Sequence, residues 1–324
     1  MNRTRLSTVA LALSALLSVS ACAGTTEERN DAAISVENCG DTVTFDEVPE
    51  RVTLLDNPSV SALAALDVLD RVTAKAGVYP TEYYSPEVGA QLEQIPTLTD
   101  QVDTSGHLQI SREMVVATEP DLVIGSSDTV NRQTLGTNGI PLLDEPAFCG
   151  SLRGEVTFED AYDQVMLYGT VFDREEAAAA YIRELKDRVA AVMETVPDSE
   201  NRSVAVLYPT TGSSVTYAYG TGSMSHPLVS AAGLENVFGS ETERVFEVTG
   251  EELIDRDPDV IITLYSAGDS GPVIDAVEGL PGAGALTAVK NQTIFPMLLS
   301  FAEPPSPLAV DGLEKLSEYL EETR

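Results

Sequence analysis

One long amphipathic helix is predicted near the middle of the 324-residue chain, between Arg174 and Val196. Apolar side chains recur there at alternating intervals of four and three residues, at Ala178, Ile182, Leu185, Val189, Val192 and Val196. Asp173 is the predicted N-cap, Glu176 completes an approximate capping box, and Pro197 ends the helix. Such a helix spans about 33 Å, roughly the width of a small domain. It predicts a rigid connection between two parts of the chain.

The sequence on the two sides of this helix follows one plan. A strand at 51–56 and a helix at 57–69 come before it, and a strand at 202–208 and a helix at 226–232 come after it. The clearest repetition compares Glu113–Ile124 with Glu251–Ile262. In each segment a glutamate stands seven residues before a proline, which is followed by aspartate and an apolar strand.

This alternation of strands and helices predicts an α/β protein with two lobes of mostly parallel sheet, each sandwiched by helices. The expected boundaries are a signal peptide at 1–21, a flexible tether at 22–35, an N-terminal lobe at 36–172, the interlobe helix at 173–197 and a C-terminal lobe at 198–324. Ligands of such sheets bind beyond the carboxyl ends of the strands.

The first residues predict export. Arg3 and Arg5 precede an apolar run from Val9 to Val19, which is too short to span a membrane. The segment Val19-Ser20-Ala21-Cys22 resembles the bacterial lipobox, in which the signal peptidase cuts before a cysteine that becomes lipid-modified. We therefore expect a domain tethered by Cys22 to the outer face of the cytoplasmic membrane.

Charge and cysteine content narrow the function further. The chain has 52 acidic and 19 basic residues and a formal net charge of −33, which repels nucleic acid. Cys39 and Cys149 remain as a pair in an exported protein, so a disulfide is expected, with two buried free thiols as the alternative.

Candidate ligand residues follow the predicted strand ends of both halves. Aromatic rings and guanidinium groups there suit a large planar or chelate ligand. The candidates are Tyr79, Tyr83, Tyr84, His107, Ser126, Arg132, Arg153, Tyr217, Tyr219, Met224, Tyr265 and Phe301. We expect about half of these residues to line a cleft between the lobes.

These features together resemble the periplasmic binding proteins that serve ABC importers of ferric siderophores, haem and cobalamin. The resemblance rests on the lipobox, the Cys39-Gly40 opening, the paired Glu…Pro-Asp segments, the single long helix and Leu280-Pro281-Gly282. It implies a monomeric carrier in which Glu113 and Glu251 dock onto arginines of the permease subunits. The alternative for each glutamate is an ordinary solvated helix residue.

The resemblance implies a ferric siderophore as ligand, with haem second and cobalamin third. For haem, His107 or a residue of the second lobe such as Tyr217, Tyr219 or His226 would supply an axial ligand. We expect no resident cofactor and no bare metal site, because two separated histidines do not form a transition-metal cluster. An exported lipoprotein enzyme is a rival hypothesis, but the chain lacks G-x-S-x-G, S-x-x-K, H-E-x-x-H and the P-loop pattern. A sensory or adhesive lipoprotein is a third.

Overall fold

The computed structural model of the protein describes residues 33–103, 107–197, 201–212 and 215–323. The predicted signal peptide, Cys22 and most of the predicted tether lie outside the described residues. The strands are β1 Ile34–Asn38, β2 Asp41–Phe45, β3 Val52–Leu54, β4 Val72–Lys75, β5 Leu122–Ile124, β6 Leu142–Leu143, β7 Ser203–Pro209, β8 Thr216–Tyr219, β9 Glu235–Asn236, β10 Val245–Val248, β11 Val260–Tyr265 and β12 Ile294–Leu298.

The helices alternate with these strands. They are α1 Val60–Ala65, α2 Pro86–Gln94, α3 Arg112–Val116, α4 Arg132–Gly136, α5 Pro146–Cys149, α6 Phe158–Val171, α7 Glu175–Thr195, α8 Ser225–Ala231, α9 Gly250–Arg256, α10 Gly271–Glu278, α11 Thr287–Asn291 and α12 Leu308–Glu322. Short 3₁₀ turns lie at Leu69–Arg71, Thr81–Tyr83, Ala283–Ala285 and Leu299–Phe301. Among the helices described, none combines the length and hydropathy that a membrane span requires.

Two larger sheets lie on either side of α7 in the sequence. The first has the order β4-β3-β5-β6 and is parallel throughout. The second has the order β10-β8-β7-β11-β12, with β9 beside β7. In it β7, β9, β11 and β12 are parallel, whereas β8 and β10 form antiparallel pairs. The predicted two-lobed α/β fold with mostly parallel sheets is therefore confirmed.

Helix α7 is the long helix expected from the apolar periodicity. Its 21 residues bury Ala178, Leu185 and Val189, and it ends two residues before Pro197. The predicted N-cap was wrong: Arg174 occupies that position, and its side chain makes no capping hydrogen bond. Asp173 instead adopts a left-handed conformation with φ of 56° in the turn after α6, so it cannot cap the helix.

The two sheets share one apolar core. Leu54 and Leu122 of the first sheet, Val206 and Ile262 of the second, and Leu185 of α7 are all buried in one cluster. Smaller clusters cover the remaining face of each sheet. The lobes are thus joined by packed side chains as well as by the chain crossings, and α7 contributes to the core between them.

The β1–β2 hairpin braces the first lobe. The predicted disulfide is confirmed, with a Cα–Cα distance of 6.0 Å between Cys39 and Cys149. Asn38 bonds both the backbone N–H and the carbonyl of Asp144, at 2.8 and 2.9 Å. Arg132 donates to Asn38 at 2.7 Å and pairs with Asp41 at 2.8 Å. The hairpin is therefore fixed to the loop that follows β6.

Candidate functional site

The carboxyl ends of the two sheets approach each other. The backbone N–H of Ser300, just after β12, donates to the Tyr83 hydroxyl at 2.8 Å. The Ser300 hydroxyl donates to Asn57 Oδ1, just after β3, at 2.7 Å. These bonds link residues 217 and 243 positions apart in sequence. The carboxyl edges of the two sheets are therefore in direct contact, at the edge where the strand order predicts ligand binding.

An aromatic cluster occupies one side of this junction. The Tyr83 ring lies edge-on to Tyr84 at 5.9 Å and to Phe301 at 4.9 Å. Tyr83 and Phe301 are buried, and burial raises the pKa of Tyr83 to about 12. Tyr84 donates to the Asn57 carbonyl, and Tyr79 to the Ala76 carbonyl, both at 3.1 Å. The structure therefore brings three of the predicted site residues, Tyr83, Tyr84 and Phe301, into ring contact, while Tyr79 is held by its own hydrogen bond to Ala76.

A groove of about 290 Å³ opens beside this cluster. It is lined by Glu82, Tyr83, Tyr84, Ser85, Phe301 and four residues of α12. A second groove, of about 470 Å³, lies between β1 and α6 next to the disulfide, away from the meeting of the two sheets. Of these two grooves, the one of about 290 Å³ combines predicted site residues from both lobes, namely Tyr83 and Tyr84 of the first and Phe301 of the second.

Predicted residues of the second lobe differ in exposure. Tyr217 is half-buried and lies opposite Tyr208, whose hydroxyl is 2.9 Å from Ser266 Oγ. Tyr265 is half-buried at the end of β11. Tyr219 and Met224 are buried in the core cluster. In this conformation Tyr217 and Tyr265 offer surface to a ligand, whereas Met224 offers none.

The other predicted residues lie apart from the aromatic cluster. His107 is 71% exposed, with Nδ1 3.5 Å from Asp103 Oδ2. Arg132 is bound to the β1–β2 hairpin, and Arg153 is exposed in the segment between α5 and α6. Ser126 donates to Asp144 at 2.8 Å at the end of β5. Of these, Ser126 lies at the carboxyl edge of the first sheet.

Sequence reasoning missed a group of carboxylates at that edge. Asp56 follows β3, and Asp144 and Glu145 follow β6. Burial, together with the charge of Asp144, raises the pKa of Asp56 to about 6, although a hydrogen bond from Ser59 opposes the rise. Burial and the neighbouring Asp56 raise the pKa of Glu145 well above its ordinary value. Among the described residues no cluster of His, Cys, Asp and Glu is placed to hold a metal ion.

Sequence reasoning also missed an arginine that contacts both lobes. Arg244 donates from Nη1 to Glu303 at 3.1 Å, and Glu303 is 1% exposed. Glu303 also accepts from the Ser225 backbone N–H at 3.1 Å. On its other side, the Arg244 guanidinium lies 5.5 Å from the ring of Phe148 in the first lobe. Phe148 and Arg244 are 96 positions apart, so no local pattern connects them.

The two predicted docking glutamates occupy equivalent positions. Glu113 is the second residue of α3, after the N-cap Ser111, which accepts from Met114 N–H. Glu251 is the second residue of α9, after the N-cap Thr249, which accepts from Glu252 N–H. Both glutamates are exposed. Because each cap fixes the first helical turn, both carboxylates are presented to solvent from rigid positions.

Comparison with known proteins places the chain in a family. A family model described as periplasmic binding protein matches residues 52–297, so the chain belongs to this family. The chain is 49% identical to a solved protein of Saccharomonospora viridis described as an ABC-type Fe3+-hydroxamate transport system. That match has a TM-score of 0.84 and covers 88% of this chain and 98% of the other.

Two curated relatives are more distant. A cobalamin-binding protein of Halobacterium salinarum is 29% identical over 78% of this chain. The match spans 63% of that relative, which is less than two thirds of its length. The uncharacterised ABC transporter substrate-binding lipoprotein YvrC of Bacillus subtilis is 21% identical over 86% of this chain and 82% of the relative. Each relative named here is described as a transport or binding protein.

Proposed function

We propose that this protein is the substrate-binding lipoprotein of an ABC importer and captures a ferric siderophore of the hydroxamate type between its lobes. The observation that carries this proposal is the 49% identity, over 88% of the chain, to a protein described as part of an Fe3+-hydroxamate transport system. The half-buried tyrosines and Arg244 at the meeting of the lobes support it, because rings and guanidinium groups suit an oxygen-rich chelate.

The charge of the cleft supports a hydroxamate over other iron chelates. Asp56 and Asp144 lie at the edge of the first sheet, and Arg244 is paired with Glu303. The whole chain carries a net charge of −33. A ferric ion with three hydroxamates is neutral, whereas a ferric tris-catecholate carries three negative charges and haem carries two propionates. A neutral chelate therefore meets the least electrostatic opposition.

Calorimetric titration tests this proposal. The purified chain without residues 1–32 is titrated with a ferric trihydroxamate, a ferric tricatecholate, haem and cobalamin. We expect saturable 1:1 binding of the ferric trihydroxamate and at least about tenfold weaker binding of the others. Saturable binding of another ligand alone would refute the hydroxamate assignment.

Cobalamin is the second candidate, favoured by the relative in Halobacterium salinarum at 29% identity. The same titration separates the two ligands. Haem has less support, since His107 is 71% exposed and paired with Asp103 outside the aromatic cluster. A Soret shift that persists in His107→Ala would point to another haem ligand.

Docking to the permease is proposed to use Glu113 and Glu251. Their equivalent places in two capped helices suit two equivalent cationic pockets of a dimeric permease. We expect Glu113→Arg with Glu251→Arg to abolish uptake while ligand binding is retained. The matched control is Glu87→Arg with Glu184→Arg, because Glu87 is also the exposed second residue of a helix with a serine N-cap. Normal uptake by the docking variant would contradict this role.

Anchoring by Cys22 is proposed from the lipobox alone. The Cys22→Ser variant is expected to leave the membrane fraction of expressing cells. Retention of the variant in that fraction would argue for another means of attachment.

A further inference from the structure

Phe148 places an apolar ring at the boundary between the lobes. It is 55% exposed and, with Val102, Met114 and Met193, is one of four large apolar side chains left exposed in the described part of the chain. Its ring lies 5.5 Å from the Arg244 guanidinium of the opposite lobe. Because Phe148 contacts the second lobe and yet keeps much of its surface open, the ring is available to a molecule that enters there.

The backbone that carries Phe148 is held on both sides. Helix α5 has four residues, with Glu145 as N-cap and Gly150 in the left-handed conformation as C-cap. Cys149, the next residue, is bonded to Cys39. On the other side, Asp144 lies four residues before Phe148, and Asn38 bonds both of its backbone groups. The β1–β2 hairpin therefore fixes both ends of the short segment that presents the ring.

Arg244 is held in place by residues of its own lobe, the second. Glu303 is 1% exposed, and a buried carboxylate is costly unless it is paired and hydrogen-bonded. Both conditions are met by Arg244 and by the Ser225 N–H. The Arg244 side chain is 28% exposed, and its guanidinium carbon lies 5.5 Å from the centroid of the Phe148 ring. Arg244 is thus a cation whose position is set by a buried partner and which remains partly accessible.

We infer that Phe148 is a ligand-contacting, specificity-determining residue of the cleft, and that the Cys39–Cys149 disulfide is its positioning device. The ring covers the apolar linker of a chelate, while Arg244 donates to the oxygen atoms of a hydroxamate group. The disulfide does not touch the ligand and acts by holding Phe148 opposite Arg244. This inference rests on the proposed function for the nature of the ligand.

The absence of tryptophan from the chain allows a direct test, since one introduced tryptophan is then the only indole. The reporter is Phe148→Trp. The matched control is Met193→Trp, because Met193 on α7 is 56% exposed, close to the 55% of Phe148. In the absence of ligand, a phosphine reduces the Cys39–Cys149 disulfide. This reduction is expected to shift the tryptophan emission of the Phe148→Trp variant to longer wavelength and to leave the emission of the Met193→Trp control unchanged. Emission at 148 that does not respond to reduction overturns the positioning role.

Ligand contact is tested by affinity for a ferric trihydroxamate. We expect Phe148→Ala and Phe148→Leu to weaken binding about tenfold and Phe148→Tyr to retain it, since an aromatic ring both covers the linker of the chelate and lies beside the Arg244 guanidinium. The variant with Cys39→Ser and Cys149→Ser is expected to lose a similar factor. Circular dichroism and thermal unfolding establish that each variant is folded at the assay temperature. Wild-type affinity in Phe148→Ala overturns the ligand contact.

The outcomes separate this inference from the proposed function. A wild-type protein that binds no ferric trihydroxamate refutes the proposed function, and with it the ligand contact of Phe148. A wild-type protein that binds, with Phe148→Ala binding equally well, refutes the inference alone. The reduction experiment contains no ligand, so it decides the positioning role in either case.

Discussion

Asp56 offers a stability prediction that depends on pH. The carboxylate follows β3, is half-buried, and accepts from the Ser59 hydroxyl at 3.1 Å. A Cβ atom added to Gly125 would lie 2.7 Å from Asp56 Oδ2, so the chain packs closely on that side. Burial, and next the charge of Asp144, raise the pKa of Asp56 from 3.8 to about 6. The native state therefore holds this proton more tightly than the unfolded chain does.

The sign and the size of the effect follow from this difference. A shift of about two pKa units corresponds to about 3 kcal/mol between the two protonation states. Well below pH 3.8, the ordinary pKa of aspartate, both the folded and the unfolded protein are protonated at Asp56, and no penalty exists. As the pH rises through about 6 the native carboxyl ionises, and the full penalty is present above that value. Asp56→Asn removes the charge with little change in shape.

Urea unfolding of the wild type and Asp56→Asn, followed by circular dichroism between pH 4 and pH 8, measures this effect. We expect free energies of unfolding that differ by less than about 1 kcal/mol near pH 4, and a variant more stable by up to about 3 kcal/mol at pH 8. Asp187→Asn on the exposed face of α7 is the control and is expected to show no such trend. A difference that does not change with pH, or a variant less stable at pH 8, would refute the assigned cause.

Three further predictions concern α7 and its neighbours. Leu185→Ala should destabilise the protein by about 2 to 5 kcal/mol in urea unfolding, because Leu185 is fully buried in the shared core. Arg188→Ala should lower the free energy of unfolding by about 2 kcal/mol or more at low salt, because Nε and Nη2 of Arg188 both donate to Glu314, at 2.8 and 2.6 Å. Equal stability of the variant and the wild type would exclude a contribution from this pair. Gly169→Ala would place a Cβ 2.6 Å from that of Ala178 and should cost about 1 to 3 kcal/mol, with recovery when Ala178→Gly is added.

The parts of the fold predicted from sequence are those that a local pattern determines. The apolar period of α7 requires one buried stripe, and that stripe is found. Glu113 and Glu251 each lie in the first turn of a short helix that is followed by a parallel strand, as the repeated segments indicate. The N-cap prediction was wrong because Asp173, in the turn after α6, adopts a left-handed conformation.

The candidate site was less predictable because long-range contacts decide which side chains stay accessible. Tyr219 and Met224 follow the expected order of strand and loop, but the packing of the second lobe buries both. Phe148 and Arg244 carry no local signal, and the fold places them 5.5 Å apart. Residues after strand ends could be proposed from sequence, whereas their exposure follows from how the two lobes pack.

Arg132 shows how a residue predicted for the ligand can act on the cleft indirectly. Its guanidinium is bound to Asn38 and Asp41 of the β1–β2 hairpin, where its charge offsets part of the local acidity. Asn38 in turn fixes the backbone of Asp144, the residue that begins the loop leading to Phe148. The hairpin also carries Cys39, so a hydrogen-bonded chain and a covalent bond converge on the same short segment. Val36, Val43 and Phe45 of the hairpin also pack in the apolar core with Leu54 of the first sheet, so the hairpin joins the loop that carries Phe148 to that core.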